Sequence, residues 1–337
     1  MAKKGRILTG HRPTGARHIG HLVGTLENWA RLQDSYESFF LIADLHVLTT
    51  DYEHPEQVQQ NVLEVLADWL ASGIDPDRST IVLQSAIPAH AQLATLFGML
   101  VTVARLSRIP TYKEQTQALN LNPSAGLLNY PVLQSADILV YKADTVPVGE
   151  DQMPHIELTR EIARRFNQLY GETFPEPEGL LSQAPRLPGI DNRTMHTSYG
   201  NNIRLKDTAE ETTQKVMSMY TDPTRIHASD PGHVEGNPVF DYHDIFNLDK
   251  EQVREFKERY RAGKIGDVQV KRVLAEKLNE YLAPIRARRA ELIAKPEYLR
   301  EVLVEGTRAG RAVAEQTVSE VERKMGLLQI DLEREQS

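Results

Sequence analysis

The first half of the chain alternates short apolar runs with stretches of helical periodicity, and that rhythm narrows the possible folds more than any other feature. Arg6-Ile7-Leu8-Thr9 reads as a strand, and after a turn containing Gly and Pro the residues Leu22, Leu26 and Trp29 recur at helical spacing. Phe39 to Ala43 is a continuous apolar strand candidate. Pro55 then starts a helix whose apolar set is Val58, Val62, Val65, Leu66, Trp69 and Leu70, with Gly73 ending it. Thr80 to Leu83 is β-rich again. Strands alternating with helices in this way predict a parallel sheet with covering helices.

Further along, Pro88 to Arg105 predicts one long helix through His90, Leu93, Leu96, Phe97, Leu100 and Val101. The more polar stretch from Tyr112 to Asn129 reads as part of an insertion between two halves of the sheet domain. Thr145 to Val148 returns to strand character, and a helix follows from Met153 to Tyr170, ended by Gly171. Phe174 to Asn202 is rich in Pro and Gly and reads as a long loop and a domain boundary. Beyond it, Thr208–Tyr220, Lys250–Arg261, Asp267–Ala294 and Pro296–Met325 carry helical periodicity. No internal repeat of about 20–50 residues interrupts this order. The expected fold class is α/β. A Rossmann-like parallel-sheet nucleotide-binding domain (1–193) with a helical insertion at 88–129 precedes an all-helical domain (194–295) and a C-terminal helix (296–337).

Composition removes several classes of function. The 337 residues include no Cys, which excludes disulfides and thiolate metal sites. No run reaches the ~18–20 apolar residues of a membrane span, and the start of the chain has no signal-peptide pattern, so the expectation is a cytoplasmic protein with no membrane association. A net charge of -8 argues against a generally basic, nucleic-acid-coating surface. A local basic cluster at Arg286, Arg288, Arg289, Arg308 and Arg311 is compatible with a solvated helix face.

The chemistry concentrates in Thr9-Gly10-His11-Arg12-Pro13-Thr14-Gly15-Ala16-Arg17-His18-Ile19-Gly20-His21, between the first strand and the first helix. Ligands in open α/β sheets bind beside the carboxyl ends of the strands, where helix N-termini offer free N–H groups to anions. His18 and His21 can share one face of the opening turn and donate to phosphate oxygens. The chain contains no GxxxxGK[ST] element. A two-histidine metal site is the competing reading, without an obvious third ligand.

Two later clusters add to it. In Tyr130-Pro131-Val132-Leu133-Gln134-Ser135-Ala136-Asp137-Ile138-Leu139 an acid interrupts an apolar run. A buried carboxylate needs partners. Either nearby backbone N–H groups supply them, or Asp137 is a pocket floor that accepts the side-chain donor of a substrate; an indole N–H and a phenol would both suit it. Val146-Pro147-Val148-Gly149-Glu150-Asp151-Gln152 then leads into a helix with His155, Ile156, Glu157, Leu158, Thr159 and Arg160. Acidic residues there cap a helix dipole and can also meet a ribose or an amino group.

Pro13-Thr14-Gly15 with His18-Ile19-Gly20-His21 resembles the HIGH signature of class I aminoacyl-tRNA synthetases, in the form used by the tryptophanyl and tyrosyl branch. The string from Val146 to Gln152 with His155 to Arg160 resembles bacterial tryptophanyl enzymes. Gly73-Ile74-Asp75-Pro76, Gln84-Ser85 and Pro88 to Gln92 do so too, as do Ser229 to Gly232, Glu235 to Phe240 and Pro284 to Arg289. Gln134 stands where many tryptophanyl members carry Met, and Gln there resembles tyrosyl enzymes.

The resemblance implies an ATP-dependent ligase with L-tryptophan, ATP with Mg²⁺ and tRNA(Trp) as substrates, assembled as a homodimer. It implies ATP binding by Arg12, Pro13, Thr14, Gly20, His21, Gly149, Glu150, Asp151 and Leu187, together with Thr194, Met195, His196, Thr197 and Ser198. It places catalysis on His18, Gly20, His21, Met195, His196 and Ser198, and tryptophan on Asp137, Tyr130, Gln134, His46 and Gln152, with no resident metal. His46 can equally be structural. The family's KMSKS loop matches Thr194-Met195-His196-Thr197-Ser198, where Thr replaces both lysines. A tyrosyl-type enzyme, or a synthetase-like paralogue with weak or no adenylation, are the alternatives.

Overall fold

The computed structural model describes residues 3–118, 123–182, 186–195, 199–227 and 229–330. Five strands, β1 (Arg6–His11), β2 (Glu37–Ile42), β3 (Thr80–Leu83), β4 (Thr145–Val148) and β5 (Glu178–Leu181), pair in the order β3-β2-β1-β4-β5, all parallel. Arg6 lies opposite Glu37 and His11 opposite Ile42, so β1 and β2 run level to their carboxyl ends. The strand order reverses between β1 and β4. That is the topological switch point, where the ends of neighbouring strands splay their loops apart and leave a crevice.

The connections are helical. After β1, α1 (Ile19–His21) passes through a π-helical turn, Leu22–Leu26, into α2 (Glu27–Ser35). α3 (Asp44–Asp51) and α4 (Val58–Ala71) lie between β2 and β3. Then come α5 (Ala89–Gly98), α6 (Val103–Leu106), α7 (Pro110–Ala118) and α8 (Ala125–Val140), and α9 (Met153–Tyr170) follows β4. Adjacent strand residues point to opposite faces, and both faces are buried. Ile7, Phe40, Ile42 and Ile81 pack with Trp29 and Trp69 on one face. Leu8, Phe39, Leu41 and Val82 pack with Leu93, Phe97, Ile138 and Ile162 on the other.

The remaining helices are α10 (Ala209–Met217), α11 (Pro238–Phe246), α12 (Lys250–Arg261), α13 (Asp267–Ile293) and α14 (Pro296–Lys324). Side-chain caps set several of their starts: Thr208 with Glu211 forms a capping box, and Asn237 and Asp249 accept from backbone N–H groups of the first turn. Phe240, Tyr242, Leu274, Leu278 and Leu282 join the apolar cluster around Trp69. α14 returns to the sheet and covers its edge at β3. A Cβ on Gly306 would stand 2.1 Å from the Ile81 carbonyl oxygen, so only glycine permits this approach. The next residue, Thr307, accepts the Leu83 N–H through Oγ1 at 3.0 Å, occupying a donor that an edge strand otherwise leaves open.

Two expectations meet a different outcome, and one helix, α11, has no secondary-structure expectation from the sequence. The helix expected over Pro88–Arg105 ends at Gly98, and a second short helix, α6, starts at Val103 behind its N-cap Thr102, whose hydroxyl accepts the Arg105 N–H. The Pro- and Gly-rich stretch from Phe174 holds β5, a four-residue edge strand. Glu235 to Phe240 leads into α11, which starts at Pro238. Among the described residues no helix is long and apolar enough to cross a membrane.

Candidate active site

A cavity of about 560 Å³ opens at the switch point, between the carboxyl ends of β1, β2 and β4. Its floor is Asp137, on the buried face of α8 and only 2% exposed. Four contacts hold this carboxylate. Oδ1 accepts from Gln84 Nε2 at 2.8 Å and from His90 Nδ1 at 2.7 Å. Oδ2 meets His46 Nε2 at 2.8 Å and Gln84 Nε2 at 2.9 Å. Burial by itself raises the Asp137 pKa; the hydrogen bonds and charges of His46 and His90 outweigh it and hold the group well below the usual carboxylate range. His90 gives its other nitrogen, Nε2, to the Tyr141 hydroxyl at 2.8 Å.

Gln84 is oriented as firmly. Its Oε1 accepts the Leu45 N–H at 3.1 Å, and Ser85 N–H donates to Asp44 Oδ1 at 2.9 Å. The end of β3 therefore positions the start of α3, and α3 delivers His46 to the floor.

One wall carries Tyr130. Its hydroxyl lies 2.6 Å from Thr111 Oγ1, which lies 2.8 Å from His155 Nε2. Burial, then the charge of His46, pushes the His155 pKa down to about 4, so this imidazole is neutral near pH 7. At the mouth, Arg12 donates to Thr50 Oγ1 at 2.6 Å and stands 3.7 Å from Asp51, and burial lowers its pKa. Across from it, His11 Nδ1 accepts from Trp69 Nε1 at 3.2 Å and stacks on Trp29, centroids 4.5 Å apart. Its Nε2 faces Thr25 Oγ1 at 3.3 Å, whose proton goes to the His21 carbonyl at 2.7 Å. The Nε2–H tautomer is the one consistent with all three contacts.

Of the residues expected from sequence, Arg12, His21, His46, Tyr130, Gln134, Asp137, Gly149, Asp151 and Gln152 line this one cavity. His18 is the N-cap of α1, its ring 3.7 Å from that of His21. Gly20 faces Met195: a Cβ on Gly20 would lie 2.9 Å from the Met195 sulfur. The first signature thus touches the loop that carries the second. Thr194 is exposed and bridges Pro188. Glu150 is exposed, Pro13 and Thr14 lie outside the lining, and Leu187 packs into the core around Trp69. His196, Thr197 and Ser198 lie outside the described residues. Among the described residues no group of three His, Cys, Asp or Glu side chains is placed to hold a metal ion. Sequence reasoning missed Thr111, Thr25, His11 and Trp29 as lining residues; His11 alone stood inside a highlighted string.

The comparisons agree with this geometry. The family described as tRNA synthetases class I (W and Y) matches residues 2–283. A tryptophan--tRNA ligase of Chlamydia caviae is 53% identical over 335 residues, 97% of this chain and 97% of that protein. One from Treponema pallidum is 53% identical over 326 residues, 96% and 97% of the two chains. Among solved structures, tryptophanyl-tRNA synthetase of Campylobacter jejuni, complexed with ADP and tryptophan, superposes with a TM-score of 0.87 at 33% identity, covering 96% of this chain and 100% of that one. The chain belongs to the class I tRNA synthetases of the tryptophan and tyrosine branch.

Proposed function

We propose that the protein activates L-tryptophan with ATP and transfers it to tRNA(Trp), and that the cavity at the switch point is where the adenylate forms. The observation that carries the reading is Asp137, a buried, ionised acceptor at the floor of the pocket. An indole N–H is a donor only and matches it. On this reading Tyr130, Gln134, His46 and Gln152 surround the amino acid. Arg12, Pro13, Thr14, Gly20, His21, Gly149, Glu150, Asp151 and Leu187 meet ATP, with Thr194 to Ser198 closing over the phosphates. His18, Gly20, His21, Met195, His196 and Ser198 form the catalytic set.

The substrate carboxylate attacks the α-phosphorus in line and pyrophosphate leaves, so the protein's work is positioning and charge stabilisation. Mg²⁺ comes with the triphosphate and offsets its charge. The charge-neutral replacements Thr194 and Thr197 favour a second reading, a paralogue with little adenylation.

The proposal includes a catalytic unit (1–193, insertion at 88–129), a tRNA-binding helical unit (194–295), a C-terminal helix (296–337), a cytoplasmic location and a homodimer. Support for the dimer comes from Met99 and Val103, 73% and 67% exposed beside half-buried Leu96 and Leu100. A monomer mass independent of concentration in ultracentrifugation refutes that part. The enzymatic reading is tested by ATP–pyrophosphate exchange with each amino acid and by charging of tRNA(Trp). Exchange driven by tyrosine and not tryptophan overturns the substrate, and no exchange with either favours the paralogue.

A further inference from the structure

Asp68 lies in the last turn of α4, is fully buried, and takes no part in the cavity. A carboxylate at such a position is costly unless it is paired and hydrogen-bonded. Its partners come from two distant stretches of chain. Oδ2 accepts the backbone N–H of Arg17 at 2.6 Å, in the residue before His18. Oδ1 accepts Nε–H of Arg289, on α13, at 2.6 Å. Arg289 also donates from Nη2 to Glu64, one turn before Asp68 on α4. Lys206 approaches the same Glu64 at 3.8 Å.

The other edge of the segment is held as well. Leu205 N–H donates to the Arg17 carbonyl at 2.9 Å, Ile19 N–H donates to the Ile203 carbonyl at 3.0 Å, and His18 bridges Arg204. The stretch 203–205 leads to Asp207, which accepts the Arg204 N–H at 2.7 Å and Lys215 Nζ of α10 at 2.5 Å. α10 is tied in turn to α13, because Arg286 Nη2 donates to Thr212 Oγ1 at 2.6 Å. Arg289 thus reaches one edge of the strip Arg17–Ile19 through Asp68, while Arg286, one turn away on α13, ties only to α10, whose Lys215 holds the Asp207 that follows the other edge.

We propose that Asp68 is a positioning residue for the His18 segment, joining the Arg17 amide to Arg289 so that α13 sets where the first signature stands. The inference concerns the position of His18 and rests on the adenylation reading only for its kinetic consequence. Asp68→Asn keeps an acceptor for the Arg17 N–H and removes the charge that holds Arg289. Arg289→Gln cuts the same link from the other side without touching the signature, and Arg289→Lys retains one charged bond.

The primary measurement is hydrogen exchange of the Arg17 and Leu205 amides in the full-length protein. Arg289→Gln should accelerate both, although Arg289 contacts neither. In tryptophan-dependent pyrophosphate exchange, Asp68→Asn and Arg289→Gln should each lower kcat by roughly two- to thirtyfold. Tryptophan affinity by equilibrium dialysis should stay within about twofold, Arg289→Lys should recover most of the loss, and the double variant should be no worse than the single ones. Wild-type exchange at both amides in folded Arg289→Gln overturns the inference. Losses that multiply in the double variant, or that fall on tryptophan affinity, overturn it too. If Asp68→Asn does not fold, the two Arg289 variants decide. If the wild type shows no tryptophan-dependent activity, the adenylation reading fails and amide exchange still decides the inference.

Discussion

His46 Nε2 stands 2.8 Å from Asp137 Oδ2, on the side of the carboxylate that faces the cavity, while His90 and Gln84 hold Oδ1 from behind. A substrate N–H that reaches Oδ2 of Asp137 shares it with His46 and with Gln84 Nε2, 2.9 Å away. The floor is preorganised: the acceptor is ionised, and Gln84 and His90 are each held by a second partner, the Leu45 N–H and the Tyr141 hydroxyl.

Removing the carboxylate has two consequences. Asp137→Ala leaves His46, His90 and Gln84 without their acceptor, and breaking a buried charged network of this kind costs on the order of 3–5 kcal/mol of stability. It also removes the acceptor for the indole, which costs about 1–3 kcal/mol of tryptophan affinity. Asp137→Asn keeps the shape and should show the binding loss with a smaller fall in stability. Calorimetry of tryptophan and ATP binding checks both: ATP affinity stays near wild type while tryptophan affinity drops. Equal tryptophan affinity in folded Asp137→Asn refutes the role.

Asp137 was legible because a lone acid in an apolar helical run must be either paired or functional. Its partners were partly legible: His46, His90 and Gln84 each stood in a highlighted string, yet nothing in a linear pattern says that three elements converge on one carboxylate. Thr111 had no signal at all. It is an ordinary hydroxyl in a polar stretch, and its meaning comes from Tyr130 and His155, which other helices bring to it. The same contrast holds for the fold. Lys250–Arg261 and Pro296–Met325 were readable from periodicity and terminal residues, since amphipathic helices carry local signals. β5 is four residues long and partly exposed, and it is a strand only because β4 is beside it.

The cover over the sheet edge makes a separate prediction. Gly306→Ala forces a methyl group against the Ile81 carbonyl, and α14 must shift away from β3 to admit it. Overpacking of this kind costs about 1–3 kcal/mol. The melting temperature should fall, and the α14 amides should lose protection before those of β1. Thr307→Val, which removes the acceptor of Leu83 N–H, should give a smaller loss. Unchanged stability in Gly306→Ala would mean that α14 does not pack on the edge in solution.

Buried histidines contribute to the acid response, His155 and His243 among them. Burial, the larger cause in each, pushes His155 and His243 down to about 4. The unfolded chain binds protons on both near pH 6.5, so it takes up more protons than the fold between about 6.5 and 4. Their contribution to stability is complete above about 6.5 and is lost as pH falls to about 4, roughly 3 kcal/mol each. His243→Gln cannot titrate, and its urea midpoint should depend less steeply on pH across this window than that of the wild type. Parallel pH profiles would show that His243 is not held neutral.

The loop from Thr194 to Ser198 carries the sharpest kinetic prediction. Gly20 of the first signature lies against Met195. The charge that two lysines would bring to the leaving pyrophosphate is absent from positions 194 and 197, and Thr offers one neutral donor at each. Arg193 is the adjacent cation, but its guanidinium is paired with Asp191, Nη2 to Oδ2 at 2.6 Å, and part of its charge is spent there. Loss of one transition-state donor typically costs about 10²–10³ in rate. The expected enzyme is therefore slow but real, with Arg193 and His196 supplying what stabilisation remains. Single-turnover adenylation should speed up when Lys is restored at Thr194 and Thr197 and slow down in Arg193→Gln and His196→Ala, with tryptophan affinity constant throughout. If the Lys substitutions gain nothing and the removals lose nothing, this loop is not a catalytic element, and a synthetase-like protein without adenylation becomes the better account of the chain.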